Sequence, residues 1–324
     1  MGRYLITGCA GFIGSHLVEA LADRGDEVVG VDSFTDYYAR SVKEANLARV
    51  RARPGFAFME ADLVEVDLAP LVAGAAGVFH LAAQPGVRGS WGDSFALYVR
   101  ENVIATQRLF EVAARSETRV VFASSSSVYG NAEAYPTAEE VRPRPISPYG
   151  VTKLSCEHLA GAYADSLGLD VVALRYFTVY GPRQRPDMAF ARLTRAIVRR
   201  EPFHVYGTGE QSRDFTYVGD AVAATQAAMD QAPSGAVYNV GGGTEASLRH
   251  VLELCGQLNG RPVDVVYDGS MPGDVRRTAA DTSRIRAELG WAPQTPLEEG
   301  IAAQLAWSET MLADSRATSA RPRH

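Results

Sequence analysis

Cysteine and lysine are both scarce in this sequence. Cys9, Cys156 and Cys255 are odd in number and far apart, with no CxxC pair. That argues against a disulfide framework or a zinc knuckle and for reduced thiols in a cytoplasmic protein. The six histidines include no HExxH and no close pair, so no metal site is expected. No apolar run reaches the roughly 20 residues that span a bilayer. The opening "MGRYLITGCAGFIGSHLVEAL" interrupts its apolar stretch with glycines, His16 and Glu19. It reads as a strand entering a helix, not as an export signal. A net charge of −6, spread along the chain without a basic block, points away from nucleic acid and from membrane surfaces as partners. Of 32 basic residues, only Lys43 and Lys153 are lysines.

What is present is an alternation. Nearly continuous apolar runs at 3–8, 27–32, 56–62, 77–83, 119–125 and 170–176 read as strands covered on both faces. Helical patterns separate them, at 12–25, about 40–50, 65–73, 94–115 and 148–167. Strands alternating with helices imply an α/β fold with a doubly wound parallel sheet of the Rossmann type. The second half has shorter elements between Gly- and Pro-containing loops such as "GPRQRPDM" and "GSMPGDVRR". It reads as a smaller α/β part over the sheet's carboxyl edge. The expected division is a cofactor domain at 1–175, with part of 216–243 returning to it, and a substrate domain at 176–215 and 244–312. Residues 313–324 are expected to form a disordered tail.

Where the first strand meets the first helix, "GCAGFIG" places Gly8, Gly11 and Gly14 in a GxxGxxG turn, with Phe12 and Ile13 opening the helix. Glycines there allow a tight turn and let a pyrophosphate approach the free N–H groups of the helix. Asp32 ends the second strand, 18 residues past Gly14. An acid there accepts hydrogen bonds from an adenosine ribose and repels a 2′-phosphate. Ser33 follows it where an arginine would favour NADP, so NAD is the expected cofactor, with Lys43 nearby in sequence.

Tyr149 and Lys153, in "SPYGVTK", are four apart in a helix that Pro148 opens, so they share a face. A free tyrosine, with a pKa of about 10, is a poor base at neutral pH. An ammonium within a few ångströms favours the phenolate, and lysine's compact charge can also bond ribose hydroxyls in a way a planar guanidinium cannot. "FASSSSVYG" follows the fifth strand at the edge where such sheets bind ligands, and its four serines offer hydroxyls there.

Taken together, GxxGxxG, "HLAA", the serine-rich turn before "VYG", YxxxK and "GEQSRDF" resemble the extended short-chain dehydrogenase/reductase family over nearly the whole chain. The resemblance implies a nucleotide-sugar substrate held by the small carboxyl-terminal domain. It also implies Ser125 as catalytic hydroxyl, Tyr149 as base and Lys153 as its partner. Asp62 and Leu63 should then border the adenine. Leu81, Ala82, Ala83 and Gln84 should run close to the cofactor, with Tyr176 beside it and Asn102 supporting the site from behind. His80 and Cys156 read as core residues. A homodimer through the helices at 94–115 and 148–167 is the family's common assembly.

The family's dehydratases place Asp-Glu after the catalytic hydroxyl residue, where this chain has Ser126 and Ser127. Hydroxyls cannot act as the extra acid and base that dehydration needs, so the turn favours epimerisation at C4. "AAQPGVRGSW" and "RYFTVYGPRQRPDMA" resemble the UDP-glucuronate 4-epimerase branch, with Thr178 where most relatives have Asn. Ser126, Ser127 and Thr178 would hydrogen-bond a C6 carboxylate. Arg192, Arg213 and Arg276 are candidates for the diphosphate, because guanidinium forks match phosphate oxygens. Asp274 is a candidate for the uridine ribose, and Arg88 and Arg185 sit in loops that would close on the substrate. The alternatives are a UDP-glucose 4-epimerase, a UDP-glucuronate decarboxylase and a non-catalytic NAD-binding redox sensor.

Overall fold

A computed structural model describes residues 1–269 and 275–319. Six strands appear in the first part of the chain: β1 (Arg3–Thr7), β2 (Glu27–Asp32), β3 (Phe56–Glu60), β4 (Gly77–His80), β5 (Val120–Ser125) and β6 (Val171–Tyr176). The later strands are β7 (Thr178–Tyr180), β8 (Phe203–Tyr206), β9 (Ser212–Tyr217), β10 (Val237–Val240), β11 (Glu245–Ser247) and β12 (Val265–Asp268). Seven of them form one parallel sheet in the order β10-β6-β5-β4-β1-β2-β3. The order reverses between β1 and β4, which opens a crevice at their carboxyl ends.

The apolar runs are continuous because both faces are covered. Leu5, Val78, Val120, Phe122, Val171 and Ala173 face one way, against Leu109 and Phe110 of the Ala105–Arg115 helix and Cys156 of the Pro148–Leu167 helix. Ile6, Phe79, Val121, Val172 and Leu174 face the other way, against Leu17 and Leu21 of the Phe12–Arg24 helix and Val222 of the Val218–Gln231 helix. Alternate residues of each strand thus enter separate cores. Each fully buried side chain contributes about 1.5–3 kcal/mol.

Two smaller sheets stand over the carboxyl edge: β11-β9-β7, and β12 paired with β8. Their core gathers Tyr180, Phe190, Phe203, Val205, Phe215, Val251 and Ile301. Strand β10, although late in sequence, pairs with β6 in the large sheet. The loop after β7 is tied to the first helix. Arg183 Nη2 donates to both carboxylate oxygens of Glu19 at 2.8 Å, and His16 Nε2 lies 2.9 Å from the Pro182 carbonyl. Burial, helped by the Arg183 charge, lowers the His16 pKa to about 4.

Several elements depart from the sequence reading. Strands β3 and β4 stop at Glu60 and His80, earlier than expected, because the chain beyond them turns along the crevice. The segment expected as a helix at 65–73 is one turn, Ala69–Val72. The helix expected at 94–115 is broken by a π-helical stretch, Val99–Ile104. The Leu297–Ser319 helix carries 313–319, which were expected as tail. The segment continues a helix already under way from Leu297, whose first turn carries Glu298 and Glu299 at its positive end. Residues 320–324 lie outside the described residues.

Candidate active site

The crevice between β1 and β4 widens into a cleft of about 410 Å³. Gly8, Gly11, Phe12, Ile13 and Gly14 form one end. A Cβ on Gly14 would sit 2.1 Å from the Gly8 carbonyl oxygen, so the turn can be this tight only with glycine there. Asp32 closes that end, 8 % exposed. Its carboxylate accepts from Ala10 N at 3.2 Å and Phe34 N at 2.9 Å and pairs with Lys43 Nζ at 3.4 Å. Lys43 also lies over the Tyr38 ring. Burial and the Asp32 charge push the Tyr38 phenol up.

The far wall is built by β5 and the Pro148–Leu167 helix. Ser147 caps that helix by accepting from Gly150 N at 3.1 Å, with Pro148 in the first turn. This sets Tyr149 at the cleft and Lys153 one turn deeper. A Cβ on Gly150 would meet the Ser127 carbonyl oxygen at 2.5 Å, so the helix start lies directly against the serine turn. Lys153 is 3 % exposed and donates to the Ala123 carbonyl at 2.8 Å. Its ammonium lies near His80, which bridges the hydroxyls of Thr7 and Thr106 at 2.7 and 2.9 Å. Burial, with Lys153 adding to it, lowers the His80 pKa to about 3, so this histidine stays a neutral core residue. Cys156 is also fully buried.

Ser125, Ser126 and Ser127 line the same cleft, as do Tyr176 and Thr178 on the adjoining strands. Ser125 Oγ accepts from Ser127 N at 3.1 Å, which folds the turn back on itself. Leu63, Leu81, Ala82, Ala83 and Gln84 run along the floor. Asn102 lies behind, in the π-helical stretch. It accepts from Gln84 N at 2.7 Å, donates to Gln84 O at 3.2 Å and reaches the Thr152 hydroxyl at 3.0 Å. A π-bulge re-aims side chains in this way and is frequent at functional sites.

The remaining candidates are more scattered. Asp62 lies between the cleft residues Ala61 and Leu63 and pairs with Arg100 at 2.8 Å. Arg185 is a cleft residue whose guanidinium holds Asp187 through two bonds of 3.1 Å. Asp187 also accepts from the Tyr37 hydroxyl at 3.3 Å, so the loops after β2 and β7 meet across the cleft. Arg88 and Arg192 lie over the Tyr206 ring, 4.4 and 5.2 Å from its centroid, outside the cleft walls. Arg213 donates to the carbonyls of Ser212 at 2.8 Å and Arg276 at 3.4 Å, which brings these two arginines together. Beside them, burial raises the Asp214 pKa to about 6, although Gly242 N and Ala280 N both donate to it. Asp274 lies outside the described residues.

Tyr37, Tyr38, Thr35, Glu101 and Met188 also line the cleft, and Tyr206 joins the arginines; none was expected from the sequence. "DSFTDYY", which begins at Asp32, held a signal for the two tyrosines. Among the described cleft residues, Asp32 and Glu101 are the carboxylates. No helix among the described residues is long and apolar enough to cross a membrane.

Comparison with known proteins agrees with this architecture. The chain is 41 % identical to an uncharacterized UDP-glucose epimerase of Bacillus subtilis, covering 95 % of this chain and 98 % of that one. It is 35 % identical to a UDP-glucuronate 4-epimerase of Thermodesulfobacterium geofontis, covering 95 % and 97 %. A crystal structure of the UDP-glucuronic acid 4-epimerase of Bacillus cereus, in complex with UDP-glucuronic acid and NAD, superposes with a TM-score of 0.93 at 39 % identity. It covers 95 % of this chain and 99 % of that one. The family described as GDP-mannose 4,6 dehydratase matches residues 5–304, and the chain belongs to that family, within the short-chain dehydrogenase/reductases.

Proposed function

We propose that this chain is an NAD-dependent epimerase that inverts C4 of a UDP-sugar, interconverting UDP-glucuronate and UDP-galacturonate. The observation that carries the reading is the set of groups around one cleft: Tyr149 and Lys153 on one helix, facing Ser125, Ser126, Ser127 and Thr178, with no carboxylate in the serine turn. The relatives named for UDP-glucuronate 4-epimerisation support the same substrate.

The residues at the glycine turn fit NAD. The close approach at Gly14 leaves the helix N-terminus open to a pyrophosphate, and the Asp32 carboxylate suits ribose hydroxyls. When bound, the cofactor supplies an acceptor for the C4 hydride and the donor for its return. Tyr149 takes the proton of the C4 hydroxyl, and Ser125 hydrogen-bonds the same oxygen. Lys153, anchored on Ala123 O, keeps a positive charge one turn from the phenol. The resulting 4-keto sugar turns over about its bond to the diphosphate, and Tyr149 returns the proton to the other epimer. With a uronate, the ketone is a β-keto acid and loses CO₂ when the C5–carboxylate bond stands perpendicular to the carbonyl plane. Ser126, Ser127 and Thr178 hold the carboxylate near that plane. Dehydration would need a further acid and base near C5 and C6. Of the two cleft carboxylates, Asp32 is committed to the glycine turn and Glu101 is paired with Arg100.

Residues 1–175 with part of 216–243 form the cofactor unit, and 176–215 with 244–312 the nucleotide-sugar unit. In the latter, Arg192, Arg213 and Arg276 serve the diphosphate and the loop of Arg185 closes on the substrate, as does the loop of Arg88 from the cofactor unit. Two copies associate through the paired helices on one face, where Phe95, Leu97, Ile104 and Val151 are exposed apolar side chains. The unpaired, buried thiols suit the cytoplasm. The test is incubation of the purified protein with UDP-glucuronate and no added cofactor. UDP-galacturonate should form, and Tyr149→Phe should abolish its formation while bound NAD is retained. A UDP-pentose as main product, or epimerisation of UDP-glucose alone, would overturn the substrate assignment.

A further inference from the structure

The Pro148–Leu167 helix presents a third group beyond Tyr149 and Lys153 on the same stripe: Glu157. Lys153 holds the Ala123 carbonyl, and Glu157 accepts from the hydroxyl of Ser124. Successive helical turns therefore grip successive residues of β5, and the next residue along the strand is Ser125. Glu157 is in turn held by Arg175 of β6, through Nε at 3.0 and 3.2 Å and Nη2 at 2.8 Å. The pair is buried, with 6 % and 7 % of the two side chains exposed.

Arg175 reaches the other end of the serine turn. Its Nη1 donates to the Tyr129 hydroxyl at 2.7 Å and to the Glu139 carbonyl at 3.0 Å, and its guanidinium lies 4.8 Å from the Tyr129 ring centroid. The Tyr129 hydroxyl donates to Asn239 Oδ1 at 2.8 Å, on β10. One ion pair thus anchors Ser124 before the turn and Tyr129 after it. It also fixes β6 three residues before Thr178. For stability alone, a well-packed apolar pair would serve as well, because desolvation offsets most of the attraction of a buried ion pair. What the apolar pair lacks is direction.

We propose that Glu157 and Arg175 are positioning residues that fix the hydroxyls of Ser125–Ser127 and Thr178 on the substrate, and so suppress loss of CO₂ from the β-keto acid. The proposal rests on the uronate reading above. If the turn loosens, the C5–carboxylate bond swings out of the carbonyl plane and breaks. CO₂ leaves, the bonding pair becomes the C4 enolate, and C5 takes a proton. Restoration of hydride to C4 then gives a UDP-pentose.

The test uses full-length holoenzyme with Ser124→Ala and Tyr129→Phe, which each remove one arm and leave the ion pair intact. Glu157→Gln is a third variant, whose failure to fold would not affect the other two. Amide hydrogen exchange across residues 124–130 should quicken in both hydroxyl variants. With UDP-glucuronate, kcat should fall on the order of tenfold, with KM changed by less than about twofold and the pentose-to-uronate product ratio raised about fivefold or more. Support requires both faster exchange and a raised product ratio; either one unchanged overturns the proposal. If the wild-type protein makes no UDP-galacturonate, the uronate reading fails on its own. Exchange alone then judges whether the pair fixes the turn.

Discussion

Replacing Gly150 by alanine should separate geometry from stability in this site. The added Cβ would lie 2.5 Å from the Ser127 carbonyl oxygen and 3.0 Å from Pro145 Cβ. Ordinary van der Waals contact begins near 3.4 Å, so the helix start and the serine turn must part by about 0.9 Å. Overpacking of this kind costs about 1–3 kcal/mol. Alanine returns about 1 kcal/mol through its higher helix propensity, so the net loss of stability should be about 0–2 kcal/mol. The catalytic effect should be larger. Tyr149 stands on the helix and Ser125 on the turn, and a displacement near 1 Å between cooperating groups can cost about 100-fold in rate. The assay is steady-state epimerisation of UDP-glucuronate, with thermal denaturation and bound-NAD content measured on the same samples. Gly161→Ala on the same helix, where a Cβ meets nothing within 4 Å, is the control and should gain up to about 1 kcal/mol with normal turnover. Wild-type kcat in Gly150→Ala would refute the claim that this contact sets the distance between the two groups.

Two further outcomes are expected. His16 is held neutral in the folded state with its pKa lowered to about 4. The unfolded chain binds the proton first, so this contribution is complete above about pH 6.5 and is lost as pH falls toward 4. It should remove about 2 kcal/mol between pH 7 and pH 5. Urea denaturation should show the gap between wild type and His16→Gln narrowing by that amount, and an equal gap at both pH values would contradict the assignment. Phe95→Asp, on the exposed apolar face, should shift sedimentation from dimer to monomer while each monomer keeps its NAD; a wild-type protein that sediments as a monomer would remove the premise.

The parts of the site legible in the sequence were those set by short-range spacing. Gly8 through Gly14, Tyr149 to Lys153 and the serine run each lie within one turn or one helix, where chain geometry alone decides who meets whom. Asp32 was legible because a strand end is a fixed place in a βαβ unit. Less legible were meetings of distant loops. The Tyr37–Asp187–Arg185 contact spans 150 residues, and Arg88 meets Tyr206 through two elements with no common period. The pairing of Asp62 with Arg100 is of the same kind, joining residues 38 apart in sequence. Asn102 holds Gln84 from behind, and the π-helical turn that aims it left no mark in the apolar pattern. The extension of the last helix to Ser319 was not legible because Asp, Ser and Thr in that ending favour turns on their own, whereas here they add on to a helix already formed from Leu297.

The position of β10 has a consequence for synthesis on the ribosome. Strand β6 ends at Tyr176, and its outer neighbour begins only at Val237. The glycine turn and the strands around it can assemble while the chain is still emerging, but the border of the sheet must wait for some sixty later residues. During that interval β6 offers unpaired N–H and C=O groups, a template for misassociation with a neighbouring nascent chain. Translational pausing within this stretch would prolong that exposure.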